Sequence, residues 1–197
     1  MLIIGLCGGS GSGKGTVAEL FLKHGIPSID ADAVYRELTA RGAQLLNMLS
    51  DEFGADILSE NGELDRKKLS SIVFSNPEKL RLLNSITHSE IIKETERRIK
   101  KYESEGFSAV IFDAPLLFES GFDQKCDVII SVTAPIELRI ERLVSRDGIN
   151  AEAARKRISS QLSDGYLREH SDYVIENSGD IFELKEKTDK LVKIILK

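Results

Sequence analysis

Gly8 to Thr16 spell G-G-S-G-S-G-K-G-T, directly after the apolar run Leu2 to Leu6. Small residues in such a loop let several backbone N–H groups converge on phosphate oxygens, and a lysine adds a fixed positive charge. The pattern G-x-x-x-x-G-K is met by Gly8, Gly13 and Lys14, while the next position, usually Ser or Thr, is Gly15 and the hydroxyl comes one residue later at Thr16. Gly11, Ser12, Gly13, Lys14, Gly15 and Thr16 are therefore the expected phosphate contacts. A glycine-rich linker with a stray lysine is the competing reading. Val17, Leu20, Phe21 and His24 argue against it, because their helical spacing pins the loop between a strand and a helix whose N-terminus also favours an anion.

Phosphoryl transfer to an alcohol needs an oriented hydroxyl, often a carboxylate to take its proton, and an organised divalent cation. Asp30 and Asp32 follow an apolar segment, Ile26 to Ile29, and either could serve the hydroxyl or cap the next helix. Asp113 ends the apolar run Ala109 to Phe112, a place suited to holding magnesium through water; before Pro115 it could equally form a turn. Arg139, Arg142 and Arg146 recur at i, i+3 and i+7, one helix face, with Ile136, Ile140, Leu143 and Val144 as the expected core stripe. Arg155 and Arg157 follow beyond Asp147-Gly148. Arginines on two helices joined by a flexible corner suit a lid that closes on phosphates; solvated charges paired with Glu137, Glu141 or Glu152 are the alternative.

The elements that must position these groups alternate. Strands are predicted at 2–7, 26–29, 108–112, 127–132 and 173–175, with helices between them, which means an α/β fold built on a parallel sheet with helices on both sides. Ligands in such sheets bind at the carboxyl ends of the strands, where Cys7, Ile29 and Phe112 lead into the groups just described. Asn76-Pro77-Glu78 opens a long helix expected to bend or restart near His88, and Asp180 with Glu183 opens a last helix expected to bury Ile181, Leu184, Leu191, Val192 and Ile195. A length of 197 residues suits one domain with room for an inserted subdomain, and 41% hydrophobic residues can build its core. The formal net charge of −5 argues against a general nucleic-acid binder. No apolar stretch is long enough to span a membrane. Cys7 and Cys126 have neither metal spacing nor a disulfide framework, and the chain opens directly on a strand, so a reducing, cytoplasmic location is expected.

The G-K-G-T ending resembles metabolite and nucleotide kinases more than regulatory GTPases, and no N-K-x-D guanine-reading string is placed after a strand. Taken with I-D-A-D (Ile29 to Asp32) and Arg36, V-F-S-N-P (Val73 to Pro77), L-N-S-I-T-H (Leu83 to His88), D-A-P-L-L-F-E (Asp113 to Glu119), R-L-V-S-R-D (Arg142 to Asp147), Arg157, Gln161 and V-I-E-N-S-G (Val174 to Gly179), the chain resembles the dephospho-CoA kinases over nearly its whole length. Generic nucleotide kinases lack the Asp113 to Glu119 segment. The resemblance implies a three-layer P-loop kinase fold with a core of residues 1–30, 107–135 and 172–197, a helical CoA-binding insertion at about 31–106 and a lid at about 136–165. It implies transfer of the ATP γ-phosphate to the ribose 3′-hydroxyl of dephospho-CoA, with magnesium. Asp32 would be the base, Lys14 would hold the β/γ-phosphates and Arg142 would reach ATP from the lid. Asp30, Arg36, His88, Pro115, Leu116, Phe118 and Glu119 would line the acceptor site, and Thr16 and Asp113 would serve the magnesium. A monomer or small homo-oligomer is expected. The chain departs from the family pattern at His88-Ser89, where His-Pro is usual, at Arg139, where glutamine is common, and at Gly15. Another kinase of small metabolites or nucleoside monophosphates, and a nucleotide-binding regulator without transfer activity, are the alternatives.

Overall fold

The structure is a computed structural model that describes all residues, Met1–Lys197. Five strands, β1 (Leu2–Cys7), β2 (Ser28–Asp30), β3 (Ala109–Asp113), β4 (Val128–Thr133) and β5 (Tyr173–Glu176), form one sheet in the order β2-β3-β1-β4-β5. The pairings of β1 with β3 and β4, and of β4 with β5, are parallel. The central place of β1 sets its carboxyl end, where the glycine-rich loop begins, in the middle of the sheet edge. β2 starts later than its apolar run suggests, because Pro27 has no N–H to give to a ladder, although its carbonyl accepts from Ile111 at 2.9 Å.

The chain divides into two compact units. The first comprises Met1–Ile29 and Tyr102–Lys197. One face of its sheet buries Ile4, Leu6, Ile111, Ile130, Val132 and Ile175 against α1 (Lys14–Lys23) and α9 (Ile181–Ile195), through Val17, Leu20, Phe21, Leu184, Leu191 and Val192. Period-two alternation sends Gly5 to the other face, where a Cβ would stand 2.8 Å from Cys126 Sγ and 2.9 Å from Leu117 Cδ2, so only glycine fits under that covering segment. Phe112 and Phe122 pack there at 4.2 Å between ring centroids. Three helices follow β4: α6 (Ile136–Asp147), α7 (Ala151–Ser159) and the short α8 (Asp164–Glu169), which the apolar periodicity did not announce. At the amino end of the sheet, Asp127 Oδ2 accepts from Ile3 N at 2.7 Å and Asp172 Oδ2 from Ile129 N at 2.8 Å.

The second unit, Asp30–Lys101, holds α2 (Ala31–Leu38), α3 (Gln44–Phe53), α4 (Arg66–Phe74) and most of α5 (Pro77–Ser104). Its own core joins Leu45, Leu49, Ile57, Leu69 and Val73. Asp65 caps α4, accepting from Lys67 N and Lys68 N at 3.1 Å.

Three expectations are corrected. α5 runs unbroken for 28 residues through His88, because Ser89 keeps the N–H that proline would remove, and Glu94, paired with Arg97 and Arg98, reinforces the helix beyond it. Ile181 is 53% exposed, being the first residue of α9 and lying off its buried stripe. On α6 the buried side is Arg139, Ile140 and Leu143, while Ile136 and Val144 are exposed. The stripe is rotated because an arginine, not an isoleucine, occupies its inner edge.

Candidate active site

β1 ends at Cys7 and α1 opens at Lys14, so residues 8–13 must turn the chain within the space of a loop. Ser12 N donates to Gly9 O at 3.0 Å, closing a tight turn over Ser10 and Gly11. Gly11 has φ +79°, the positive value a type II turn needs at its third position. Gly13, also left-handed, is the N-cap of α1. It offers no side chain to the first N–H groups of the helix, which stay open to an anion.

Lys14 Nζ forms an ion pair with Asp113 Oδ1. Asp113 is the last residue of β3 and its side chain is only 10% exposed, so the lysine answers a carboxylate that burial would otherwise leave uncompensated. Arg142 reaches the loop from α6, donating to Gly11 O at 3.1 Å and Ser12 O at 3.4 Å. Burial pushes its pKa down from the ordinary arginine value, and a guanidinium stays a cation in proteins. Asn177, one residue beyond β5, donates from Nδ2 to Ser12 O at 2.8 Å and accepts from Arg142 at 3.4 Å. The carbonyls of Gly11 and Ser12 are thus occupied from behind, while the first N–H groups of α1 stay open to a ligand. Ser12 Oγ is buried without a partner. Thr16 stands in the first turn of α1, and a Cβ at Gly15 would meet nothing within 4 Å.

Asp113 opens the segment that contains Pro115, Leu116, Phe118 and Glu119. Ala114 N donates to Leu6 O at 3.1 Å and Leu117 is fully buried, which anchors the segment and leaves Leu116 50% exposed. Phe118 meets Tyr166 of α8 edge-on at 5.5 Å, and Tyr166 stacks on His170 at 3.9 Å. Both cysteines are poor nucleophiles: burial pushes the Cys7 thiol up to about 11 and that of Cys126 up to about 12.

In the second unit, Asp30 closes β2 and caps α2, accepting from Asp32 N at 2.8 Å and Ala33 N at 3.2 Å. Arg36 lies 3.7 Å from its other oxygen. Asp32 is exposed in the first turn of α2. His88 is half-buried on α5. The distal arginines form exposed pairs: Arg146 and Arg157 both bind Asp147, and Arg155 binds Glu137 at 3.0 Å.

The structure thus brings Gly11, Ser12, Gly13, Lys14, Asp113 and Arg142 into one site. Asn177 and Gln161 stood in the sequence only as parts of the resemblance, with no role assigned, and Asp164 carried no signal at all.

Magnesium favours oxygen donors and keeps several of its waters, so the Asp113 carboxylate at a strand end and the Thr16 hydroxyl in the first turn of α1 are donors of the right chemistry.

A family model described as dephospho-CoA kinase matches residues 2–183. A dephospho-CoA kinase of Corynebacterium glutamicum is 40% identical over 196 residues, covering 100% of this chain and 98% of that protein. Among solved structures, TT1252 from Thermus thermophilus superposes with a TM-score of 0.81 at 33% identity, covering 100% of this chain and 98% of that one. A dephospho-CoA kinase from Campylobacter jejuni superposes with a TM-score of 0.72 at 26% identity, covering 98% of this chain and 96% of that one.

Proposed function

Because the chain belongs to the dephospho-CoA kinase family, we propose that its glycine-rich loop binds ATP and that the enzyme phosphorylates the ribose 3′-hydroxyl of dephospho-CoA, giving coenzyme A and ADP. This is the last step of coenzyme A biosynthesis. The observation that carries the reading is the meeting of Lys14 with Asp113, which joins the phosphate loop to the opening residue of the D-A-P-L-L-F-E segment.

Each residue then has a task. Loop N–H groups and Lys14 hold the β- and γ-phosphates, so negative charge that builds during transfer meets preorganised donors. Arg142 adds a cation from α6. Asp32 accepts the proton of the 3′-hydroxyl as its oxygen attacks the γ-phosphorus, and the bond to the β–γ bridging oxygen breaks to release ADP. Pro115, Leu116, Phe118 and Glu119, with Asp30, Arg36 and His88, bind the acceptor, and residues 31–106 form the unit that holds its CoA portion. Residues 136–165 close as a lid. Thr16 and Asp113 would hold magnesium, largely through water; when bound it neutralises phosphate charge. We place the enzyme in the cytoplasm, as a monomer or small homo-oligomer. No helix is long and apolar enough to cross a membrane.

The test supplies Mg-ATP with dephospho-CoA, AMP or other alcohols and measures ADP release and the phosphorylated product. Selective formation of coenzyme A supports the reading. Preferred phosphorylation of AMP, or ATP binding with no transfer to any acceptor, overturns it.

A further inference from the structure

Arg139 is 4% exposed, an unusual position for an arginine unless its charge is engaged. Its planar fork divides its donors among separate tasks. Nε donates to Ser10 O at 2.9 Å and Nη1 to Asp164 Oδ1 at 2.9 Å, while Nη2 is buried without a partner beside Gly9. The backbone of Arg139 fills the space beside the next glycine as well: a Cβ at Gly11 would stand 2.6 Å from Arg139 O. Ser10 is held from its other end too, its N–H donating to Gln161 Oε1 at 2.8 Å.

The residue so clasped is the pivot of the loop. Ser10 and Gly11 are the two central residues of the turn closed by Ser12 N and Gly9 O. Type I and type II turns of that outline differ by rotating the peptide between their central residues through about half a turn. In a trans peptide the C=O and the next N–H point in opposite directions, so the partner of Ser10 O decides where Gly11 N–H points. A guanidinium on that carbonyl also polarises the peptide and strengthens its N–H as a donor.

We infer that Arg139 is a positioning residue for ATP binding: with Asp164 as its anchor, it fixes the orientation of the Ser10–Gly11 peptide and so the donor pattern of the phosphate loop. The inference rests on the loop being the ATP site. Gln161 restrains the same turn through Ser10 N, so α6 and the stretch after α7 both meet the loop at Ser10.

The test compares wild type with R139M, which keeps an unbranched apolar stem without a donor, and D164N, which keeps the arginine but loosens its anchor. Kd for ATP is measured by calorimetry, KM for dephospho-CoA by initial rates, and folding by thermal melting. R139M should raise the Kd for ATP about tenfold and D164N about threefold, in the range expected for losing and for weakening a charge-assisted hydrogen bond. KM for dephospho-CoA should stay within about twofold of wild type, a split that a merely structural role would not produce. A folded R139M with unchanged Kd for ATP, or one in which both substrates weaken together, overturns the inference. If R139M does not fold, D164N decides: a folded D164N with unchanged Kd for ATP overturns it. If wild type binds ATP but transfers nothing to dephospho-CoA, the proposed activity fails while the Kd comparison still judges Arg139. A wild type that binds no ATP overturns both.

Discussion

At the scale of single residues, roles divide by what each side chain touches. Lys14→Ala removes the cation of the phosphate loop and leaves Asp113 buried without it; kcat/KM for ATP should fall by about two orders of magnitude or more, measured by coupled ADP release. An unchanged kcat/KM would remove Lys14 from the site. Asp32→Asn is exposed and makes no cap, so its melting temperature and ATP affinity should match wild type while turnover drops by at least about a hundredfold. Substantial turnover in that variant would mean that the hydroxyl proton leaves by another route. Gly15→Ser puts a hydroxyl where this chain lacks one. The site has room for the Cβ and serine suits a first helical turn better than glycine, so melting should hold or rise by a few degrees and the magnesium requirement should shift to lower concentration. Most of these residues were legible because the loop, the Asp-ended strands and the D-A-P-L-L-F-E string are local patterns. Arg139 was not, since an i, i+3, i+7 series says which residues share a face but not which one a neighbouring loop will cover.

At the scale of elements, capping was legible and context was not. Asp65, Asn76 and Asp180 each accept from a helix N–H as their sequence positions require. α8 escaped notice because its few residues hold one buried apolar side chain, Leu167, too little for a period. Asn177 looks like an ordinary turn residue after β5, yet it is 5% exposed and ties that turn to Ser12 and Arg142. Asn177→Ala should therefore lower stability by about 1–3 kcal/mol in denaturant unfolding, the cost of unpaired buried polar groups, and also weaken ATP binding. A loss of stability alone would confine Asn177 to the fold.

At the scale of the whole molecule, the pH limits of stability follow from groups outside the site. Hydrogen bonds from Arg97 and Arg98 hold Glu94 down to about 2. The folded pKa lies below the unfolded one, so this contribution is full above about 4.5 and is lost as pH falls toward 2. Glu94→Gln should flatten the acid side of a melting-temperature profile across that window. The thiols act in the opposite direction: burial raises their folded pKa values to about 11 and about 12, above the ordinary thiol value of 9.0, so stability is lost as pH rises above 9. Native protein should react slowly with iodoacetamide at pH 8, and unfolded protein quickly. The sheet order and two compact units depend on non-local packing, which one-dimensional patterns report only through alternation. The Lys14–Asp113 pair has one more consequence. A net charge of −5 already opposes a polyanion, and the lysine that receives it is already satisfied by a tethered anion. Loading the loop is therefore ion exchange against a competitor whose effective concentration is set by the fold. On the proposed reading, a lone chloride or sulfate would gain little from such a trade, whereas a polyphosphate that also engages the loop N–H groups would displace the carboxylate, so the pair would act as a filter against small anions.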